Sequence, residues 1–207
     1  DLNGDSKDEL LIVKEDDKSE IYEFIKENNV IHSRKIYDSG FPSSHHHLFV
    51  GDFNGDGRVD LLSQVQDNQH KTHWYLAYWL DGGFVENEII DILPENNDPT
   101  FYSVGDFNGD GKADLSYLYN ENINGNYRAR NKIFYSYNDS FKSSTNELFM
   151  YFIGGSSNWQ VPPQPFSSYL SDFDGDGISD LGFGAADFIR CVITKPWVNY
   201  NTLKMVA

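Results

Sequence analysis

The sequence predicts an all-β fold made of small repeated sheets, and three observations lead to this class. One segment recurs four times within 207 residues, which is typical of repeat architectures. Aromatic residues make up 15% of the chain, and the 17 glycines suit short strands joined by tight turns. Helical periodicity is weak throughout. In the best candidate, 19–26, Ile21 and Ile25 lie four residues apart. Tyr22 and Phe24 would occupy other helix faces, so we expect a strand there.

The recurring segment is an acidic loop followed by apolar residues. Its copies read DLNGDSKDEL, DFNGDGRVDLL, DFNGDGKADLS and DFDGDGISDLG, and they begin at Asp1, Asp52, Asp106 and Asp172. The copies lie roughly 50 to 65 residues apart, and periods on this scale indicate a solenoid, propeller or array.

Strand patterns surround each loop. Near the second copy they cover 47–50, 61–65, 72–80 and 84–92, and near the third they cover 101–104, 114–119 and 132–137. About four strands per period is the content of one β-propeller blade. The sequence therefore predicts one partial propeller with about four blades, each of about four antiparallel strands. The blades are approximately 1–46, 47–100, 101–166 and 167–207.

Two stretches interrupt this rhythm. They are 120–131 and the proline-containing segment 154–165. Both are predicted to be surface loops, either as tolerated insertions or as partner-binding elements.

The loops have the oxygen spacing of a metal site. In the second copy, side-chain oxygens fall at positions 1, 3, 5 and 9, and glycines at positions 4 and 6 permit the tight turn. A main-chain carbonyl at position 7 completes the predicted set. The predicted ligands are Asp52, Asn54, Asp56, Arg58 (carbonyl) and Asp60; Asp106, Asn108, Asp110, Lys112 (carbonyl) and Asp114; and Asp172, Asp174, Asp176, Ile178 (carbonyl) and Asp180.

Calcium is the metal that these ligands favour. An oxygen-only set excludes zinc and copper, and Ca²⁺ tolerates flexible coordination better than Mg²⁺ does. An EF-hand would need Glu at position 12, where this chain has Ile12, Ser63, Tyr117 and Phe183. Metal-free Asx turns are the alternative, but four loops in register, each crowding several acidic groups, favour a divalent ion.

The first loop is expected to be weaker or empty. Its candidate ligands are Asp1, Asn3, Asp5, the Lys7 carbonyl and Glu9. Ser6 replaces the second glycine, and no strand pattern precedes the loop.

Charge and cysteine content exclude several classes. The formal net charge is -16, with 16 Lys and Arg against 32 Asp and Glu, which argues against a nucleic-acid partner. No run approaches the roughly 20 apolar residues of a membrane span. Cys191 is the single cysteine, so an internal disulfide is excluded. Residue 1 already lies within a repeat, so we expect the chain to be a fragment.

No catalytic signature is found. The sequence contains no GxSxG, HExxH, Walker or CxxC motif. His45, His46 and His47 are predicted to lie in a solvated loop, with a transition-metal site as the alternative. The aromatic residues of the 74–79 segment are expected to pack between blades, with sugar stacking as the alternative.

The segments 49–62 and 103–115 resemble the FG-GAP/VCBS repeat family, the calcium-binding blades of integrin α-like propellers. Phe183-Gly184-Ala185 is also similar to the Gly-Ala-Pro tract of that family. The resemblance implies a larger, for example seven-bladed, ring, so that further blades or another chain would close it. It also implies a secreted or cell-surface scaffold for adhesion or assembly, with a protein or glycan partner. The alternatives are a carbohydrate-binding or carbohydrate-cleaving propeller and a shell segment of a bacterial toxin complex.

Overall fold

The computed structural model describes residues 4, 6–13, 19–39, 45–80, 83–89, 102–123, 126–143, 148–149, 167–185 and 188–192. Over these ranges the chain forms antiparallel strands and turns and no helix, so the all-β prediction is confirmed. None of the described segments could cross a membrane as an apolar helix. The chain packs as two compact units, Asp1–Asn97 and Asp98–Ala207.

The first unit contains two sheets. The first sheet has the order β1 (Leu10–Val13), β2 (Ser19–Glu27), β3 (Val30–Ser39). The second has the order β4 (His45–Gly51), β5 (Asp60–Gln66), β6 (Thr72–Leu80), β7 (Gly83–Ile89). The strand predicted at 19–26 is confirmed as β2.

The second unit also contains two sheets. The third sheet has the order β11 (Ser140–Ser143), β10 (Asn126–Tyr137), β9 (Asp114–Ile123), β8 (Tyr102–Gly105), and β12 (Leu148–Phe149) pairs with β10. The fourth has the order β13 (Ser167–Ser171), β14 (Asp180–Ala185), β15 (Phe188–Val192).

Asparagine-rich turns close two of the hairpins. Asn28 and Asn29 join β2 to β3 with φ values of 49° and 62°, and Asn138 and Asp139 join β10 to β11 with φ values of 46° and 58°. Positive φ at both central residues is the mark of a type I′ turn, whose twist matches that of paired strands. Asn and Asp tolerate this conformation better than other side chains.

The core of the first unit lies between its two sheets. Leu61 and Ala77 are paired on one face of the second sheet, and Trp79 follows two residues later on the same face. Ile21 of the first sheet packs against Trp79, and both are buried. Leu11 contacts both the Ile21–Trp79 cluster and the Leu61–Ala77 cluster. Burial of each large apolar side chain here contributes roughly 1.5–3 kcal/mol to the free energy of unfolding.

In the second unit, the third and fourth sheets meet at a glycine. A Cβ atom added to Gly105 would lie 2.5 Å from Leu170 Cδ2 and 2.8 Å from Ser179 Oγ. Such distances leave no room for a side chain, so glycine is required for the sheets to approach this closely.

The prediction of a loop at 120–131 is wrong. Asn120–Ile123 and Asn126–Asn131 extend β9 and β10, and Asn120 lies opposite Ala129. Polar residues form these strands because an antiparallel partner satisfies the backbone groups whatever the side chains are. The segment 154–165 lies outside the described residues.

The prediction of a solvated loop at the histidines is also wrong. His45, His46 and His47 begin β4, and a bulge lies between the His45–Val65 and His47–Gln64 pairs. The His47 ring is half-buried and stacks on Phe49 at a centroid distance of 6.3 Å. Pairing with β5 continues the strand to this point, and sequence pattern alone did not reveal that register.

Candidate metal loops

Three acidic loops have the same position in three sheets. Each joins the first strand of its sheet to the second, and the ninth loop residue is the first residue of that second strand. The residue before each loop pairs with the ninth: Gly51 with Asp60, Gly105 with Asp114, and Ser171 with Asp180. The strand-loop-strand arrangement predicted from the sequence is therefore confirmed.

Glycines at positions 4 and 6 hold these loops in a left-handed conformation. Their φ values run from 76° to 84° at Gly55, Gly57, Gly109, Gly111, Gly175 and Gly177. A side chain at such a φ costs roughly 1–2 kcal/mol. In the first loop Gly4 has φ 77° and Ser6 has φ 67°, so Ser6 takes the left-handed conformation that glycine has in the other loops.

The first aspartate of each loop accepts hydrogen bonds from the loop backbone. Asp52 Oδ1 accepts from Gly55 N at 2.6 Å, and its Oδ2 accepts from Gly57 N at 2.8 Å. The corresponding distances are 2.6 and 2.8 Å at Asp106 and 2.7 and 2.8 Å at Asp172. These bonds fold the backbone of each loop around its own first carboxylate.

The ninth-position aspartates are fully buried beneath the loops. Asp60, Asp114 and Asp180 each have 0% exposure. Their Oδ2 atoms accept from the backbone N–H groups of Phe53, Phe107 and Phe173 at 3.0, 3.0 and 2.9 Å. A buried carboxylate is unstable in its charged form unless donors or a cation compensate for the lost water.

The Oδ1 atoms of Asp60 and Asp114 differ in their hydrogen bonds. Asp114 Oδ1 accepts from the backbone N–H of Ser136 on β10 at 2.8 Å, whereas Asp60 Oδ1 is buried with no hydrogen-bond partner. Burial, together with the charges of the other loop aspartates, raises the pKa of both groups to about 7. A cation beside Asp60 would satisfy the unpaired oxygen.

The fourth loop brings three carboxylates together. Oxygen atoms of Asp172, Asp174 and Asp176 all lie within 4.8 Å of one another. The three side chains are exposed. Three negative charges at this separation repel one another unless a cation lies between them, so the donor set, which contains only oxygen, fits a hard divalent ion.

The fifth-position aspartates have different partners. Asp56 Oδ2 accepts from Arg58 Nη2 at 2.7 Å and from Arg58 Nε at 3.1 Å. Burial acts to raise the pKa of Asp56, but the hydrogen bonds and charge of Arg58 outweigh it and hold that pKa below its ordinary value. In the third loop, Asp110 Oδ2 instead accepts from Asn108 Nδ2 at 3.3 Å.

The structure brings three of the predicted side chains of the fourth loop together, Asp172, Asp174 and Asp176. In the second and third loops, the charges of the loop aspartates act on the buried Asp60 and Asp114. The carbonyl ligands proposed at Arg58, Lys112 and Ile178 stay a prediction. In the first loop Asp1, Asn3 and Asp5 lie outside the described residues, while Lys7 is exposed and Glu9 half-buried. Sequence reasoning missed the Ser136 donor, which depends on the register of β10. It also missed the Arg58 guanidinium, for which an arginine two residues after a loop aspartate was the available signal.

The aromatic residues of the 74–79 segment pack inside the protein. Trp74, Tyr78 and Trp79 are buried and Tyr75 is half-buried. Trp79 contacts Ile21 of the first sheet and stacks edge-on against Phe84. The predicted packing between sheets is confirmed for Trp79, which leaves its ring inaccessible to a sugar.

Comparison with known proteins defines the class. The FG-GAP-like repeat family matches residues 1–63 and 52–116, which is more than half of the chain. The matched ranges contain the first, second and third loops. The chain belongs to the FG-GAP-like repeat family and is a scaffold of β-propeller type.

One solved structure with a similar fold is described as the structural basis of specific recognition of non-reducing terminal N-acetylglucosamine by an Agrocybe aegerita lectin. The similarity has a TM-score of 0.58 at 14% sequence identity and covers 86% of this chain. It covers 43% of the lectin chain, so this chain spans less than half of that length. At this identity the likeness shows the fold alone. No curated protein matches the sequence.

Proposed function

We propose that the chain is a calcium-stabilised, non-enzymatic scaffold that supports adhesion or protein assembly outside the cell. The observation that carries this proposal is the fully buried Asp60, whose Oδ1 has no hydrogen-bond partner beneath an oxygen-lined loop. Asp114 and Asp180 are the equally buried ninth residues of the third and fourth loops. The three loops together would bind three ions, with the ligand set given above for each.

Calcium would act by linking each loop to the strand that follows it, in addition to the hydrogen bonds that already pair the strands. The ion would contact loop residues at positions 1, 3 and 5 and also the ninth residue, which begins the next strand. Strand β5 begins at Asp60, so an ion at the second loop would tie this strand to the loop that precedes it. Binding only to the folded state stabilises it, by roughly 3 kcal/mol per site when calcium is 100-fold above Kd.

A non-catalytic role is supported by how the acidic groups are used. Within the described ranges, the one convergent group of three His, Cys or acidic side chains is that of the fourth loop. Its place in the repeated loop gives it a structural use. Family membership supports the same scaffold role.

An extracellular or cell-surface location follows from the proposed ion. Calcium sites in extracellular modules have dissociation constants of roughly 10⁻⁴–10⁻³ M. Exposed loops of this kind would fill at the roughly millimolar calcium of extracellular fluid. A protein or glycan partner and further blades, or another chain, to close the ring belong to the same proposal.

Thermal unfolding with and without calcium tests the proposal. We expect millimolar calcium to raise Tm and EDTA to reverse the rise, and Asp172→Asn to reduce the calcium-induced shift. Asp67→Asn is the matched control, because Asp67 closes an ordinary hairpin by accepting from Gln69 N and Lys71 N at 2.8 Å. It should lower Tm equally in calcium and in EDTA. An identical Tm in both solutions for the unmodified protein would refute the proposal.

Carbohydrate binding is the second candidate, because the structural neighbour described above is a lectin that recognises terminal N-acetylglucosamine. The low identity transfers no binding residue. A glycan array decides between the two: a protein-assembly scaffold gives no sugar-dependent signal, and a lectin gives one that free sugar competes away. Membership of a toxin-complex shell stays a prediction from the sequence.

A further inference from the structure

We propose that Arg58 is a built-in competitor for calcium, which makes the second loop bind the ion more weakly than the fourth. This inference rests on the calcium binding proposed above. The Arg58 guanidinium donates two hydrogen bonds to Asp56 Oδ2, at 2.7 and 3.1 Å. Asp56 is the proposed fifth-position ligand, so the arginine and the ion would compete for the same carboxylate.

The first loop holds the arginine in place. A Cβ atom on Gly4 would lie 3.2 Å from Arg58 Cγ and 3.5 Å from Cδ, so the aliphatic stem packs against this glycine. The Arg58 side chain retains only 31% of its exposure. A side chain fixed in this way loses little further entropy on pairing, which strengthens its ion pair relative to a freely mobile surface pair.

The second loop still has a place for a cation. Asp60 is fully buried, its Oδ2 accepts from Phe53 N, and its Oδ1 has no partner. The guanidinium bonds to Asp56 and leaves this deeper oxygen unsatisfied. Buried oxygens normally have a donor or an ion beside them. Arg58 therefore lowers the affinity of the site rather than replacing the ion.

The fourth loop differs at two positions, and both differences strengthen binding. Its seventh residue is the uncharged Ile178, and its third residue is Asp174, where the second loop has Asn54. The oxygens of its first three aspartates converge within 4.8 Å. One positive charge at roughly 6 Å from a divalent ion in an exposed site weakens binding about tenfold.

The third loop should be intermediate. Lys112 occupies the seventh position, but the Oδ2 atom of Asp110 accepts from the neutral Asn108 amide at 3.3 Å. The third loop therefore has a positive charge nearby, but its fifth-position aspartate does not accept the pair of arginine hydrogen bonds found in the second loop.

Glycine amides allow each loop to be followed separately. The backbone N–H groups of Gly57, Gly111 and Gly177 donate to the first aspartate of their own loop at 2.8 Å. In protein labelled with ¹⁵N-glycine and titrated with calcium chloride, we expect the signal of Gly177 to reach half of its shift first, Gly111 next and Gly57 last.

Reciprocal variants provide the decisive comparison. Arg58→Gln removes the charge and keeps most of the stem, so it should lower the calcium midpoint of Gly57 about tenfold and leave Gly177 unchanged. Arg58→Lys retains the charge and should move the midpoint much less. Ile178→Arg, at an independent site, should raise the midpoint of Gly177.

The failures of the two proposals are distinguishable. The weakest expected dissociation constant is about 10⁻³ M. If none of the three glycine signals shifts at calcium concentrations as high as about 10 mM, calcium binding itself is refuted. The Arg58 inference is overturned, and calcium binding stands, if all three glycine signals have the same calcium midpoint. It is also overturned if neither Arg58→Gln nor Ile178→Arg changes the calcium midpoint of its own loop.

Discussion

The backbone N–H of Ser179 donates to the carbonyl of Asp106 at 2.7 Å, which ties the fourth loop to the third. Beside this bond, a Cβ atom on Gly109 would lie 3.2 Å from Ile178 Cγ1. The contact between Arg58 and Gly4 in the first unit repeats the pattern, because the seventh residue of one loop packs on the fourth-position glycine of the loop before it. Successive loops within a unit are therefore in direct contact.

Close packing at this junction predicts a large effect of Gly105→Ala. Its Cβ would lie 2.5 Å from Leu170 Cδ2, so we expect a loss of roughly 1–3 kcal/mol in the free energy of unfolding, measured by urea denaturation. Leu170→Ala should restore part of that loss in the double variant. An additive double variant would contradict the steric explanation.

Amide substitution of the buried aspartates in the second and third loops should change the free energy of unfolding differently in EDTA. Both Asp114 oxygens accept from backbone N–H groups, so Asp114→Asn turns an amide N–H toward a donor and should cost roughly 1–3 kcal/mol. Asp60 has one unpaired oxygen, so Asp60→Asn removes a buried charge and should be neutral or stabilising. In millimolar calcium both variants should be less stable than the unmodified protein. Equal losses in EDTA would show that Asp60 Oδ1 has an unseen donor.

Stability without calcium should fall as pH rises. The folded-state pKa of Asp60 and Asp114 is raised to about 7 from the ordinary value of 3.8. Protonated carboxyls are then favoured in the folded state, so their contribution is fully present below about pH 4 and is lost as pH rises through 7. In EDTA, Tm should decrease from pH 5 to pH 8, and Asp60→Asn should reduce that slope. A Tm that rises over this interval would contradict the raised pKa values.

Local patterns in the sequence predicted the repeated unit well. The apolar and aromatic runs around Leu61 and Ala77 and the glycine spacing around Asp52 arise from chemistry within a few residues, so one sequence suffices to find them. The paired extension of β9 and β10 could not be found in this way, because it depends on which distant backbone supplies the hydrogen bonds. The Ser136 donor and the Gly105 junction arise from register and packing between strands, which leave no local signal.

The first loop provides the last prediction, through a reciprocal exchange with the second. Ser6 has φ 67° where the second loop has Gly57 at φ 80°. Ser6→Gly relieves roughly 1–2 kcal/mol of backbone strain, and the greater freedom of glycine in the unfolded chain offsets roughly 0.5–1 kcal/mol of it. We therefore expect a net gain of roughly 0.5–1 kcal/mol in EDTA, measured by urea denaturation. Gly57→Ser should lose a similar amount, because no atom lies within 4 Å of its Cβ and only the backbone conformation is penalised. A stabilising Gly57→Ser would show that the left-handed turn does not set the loop energetics.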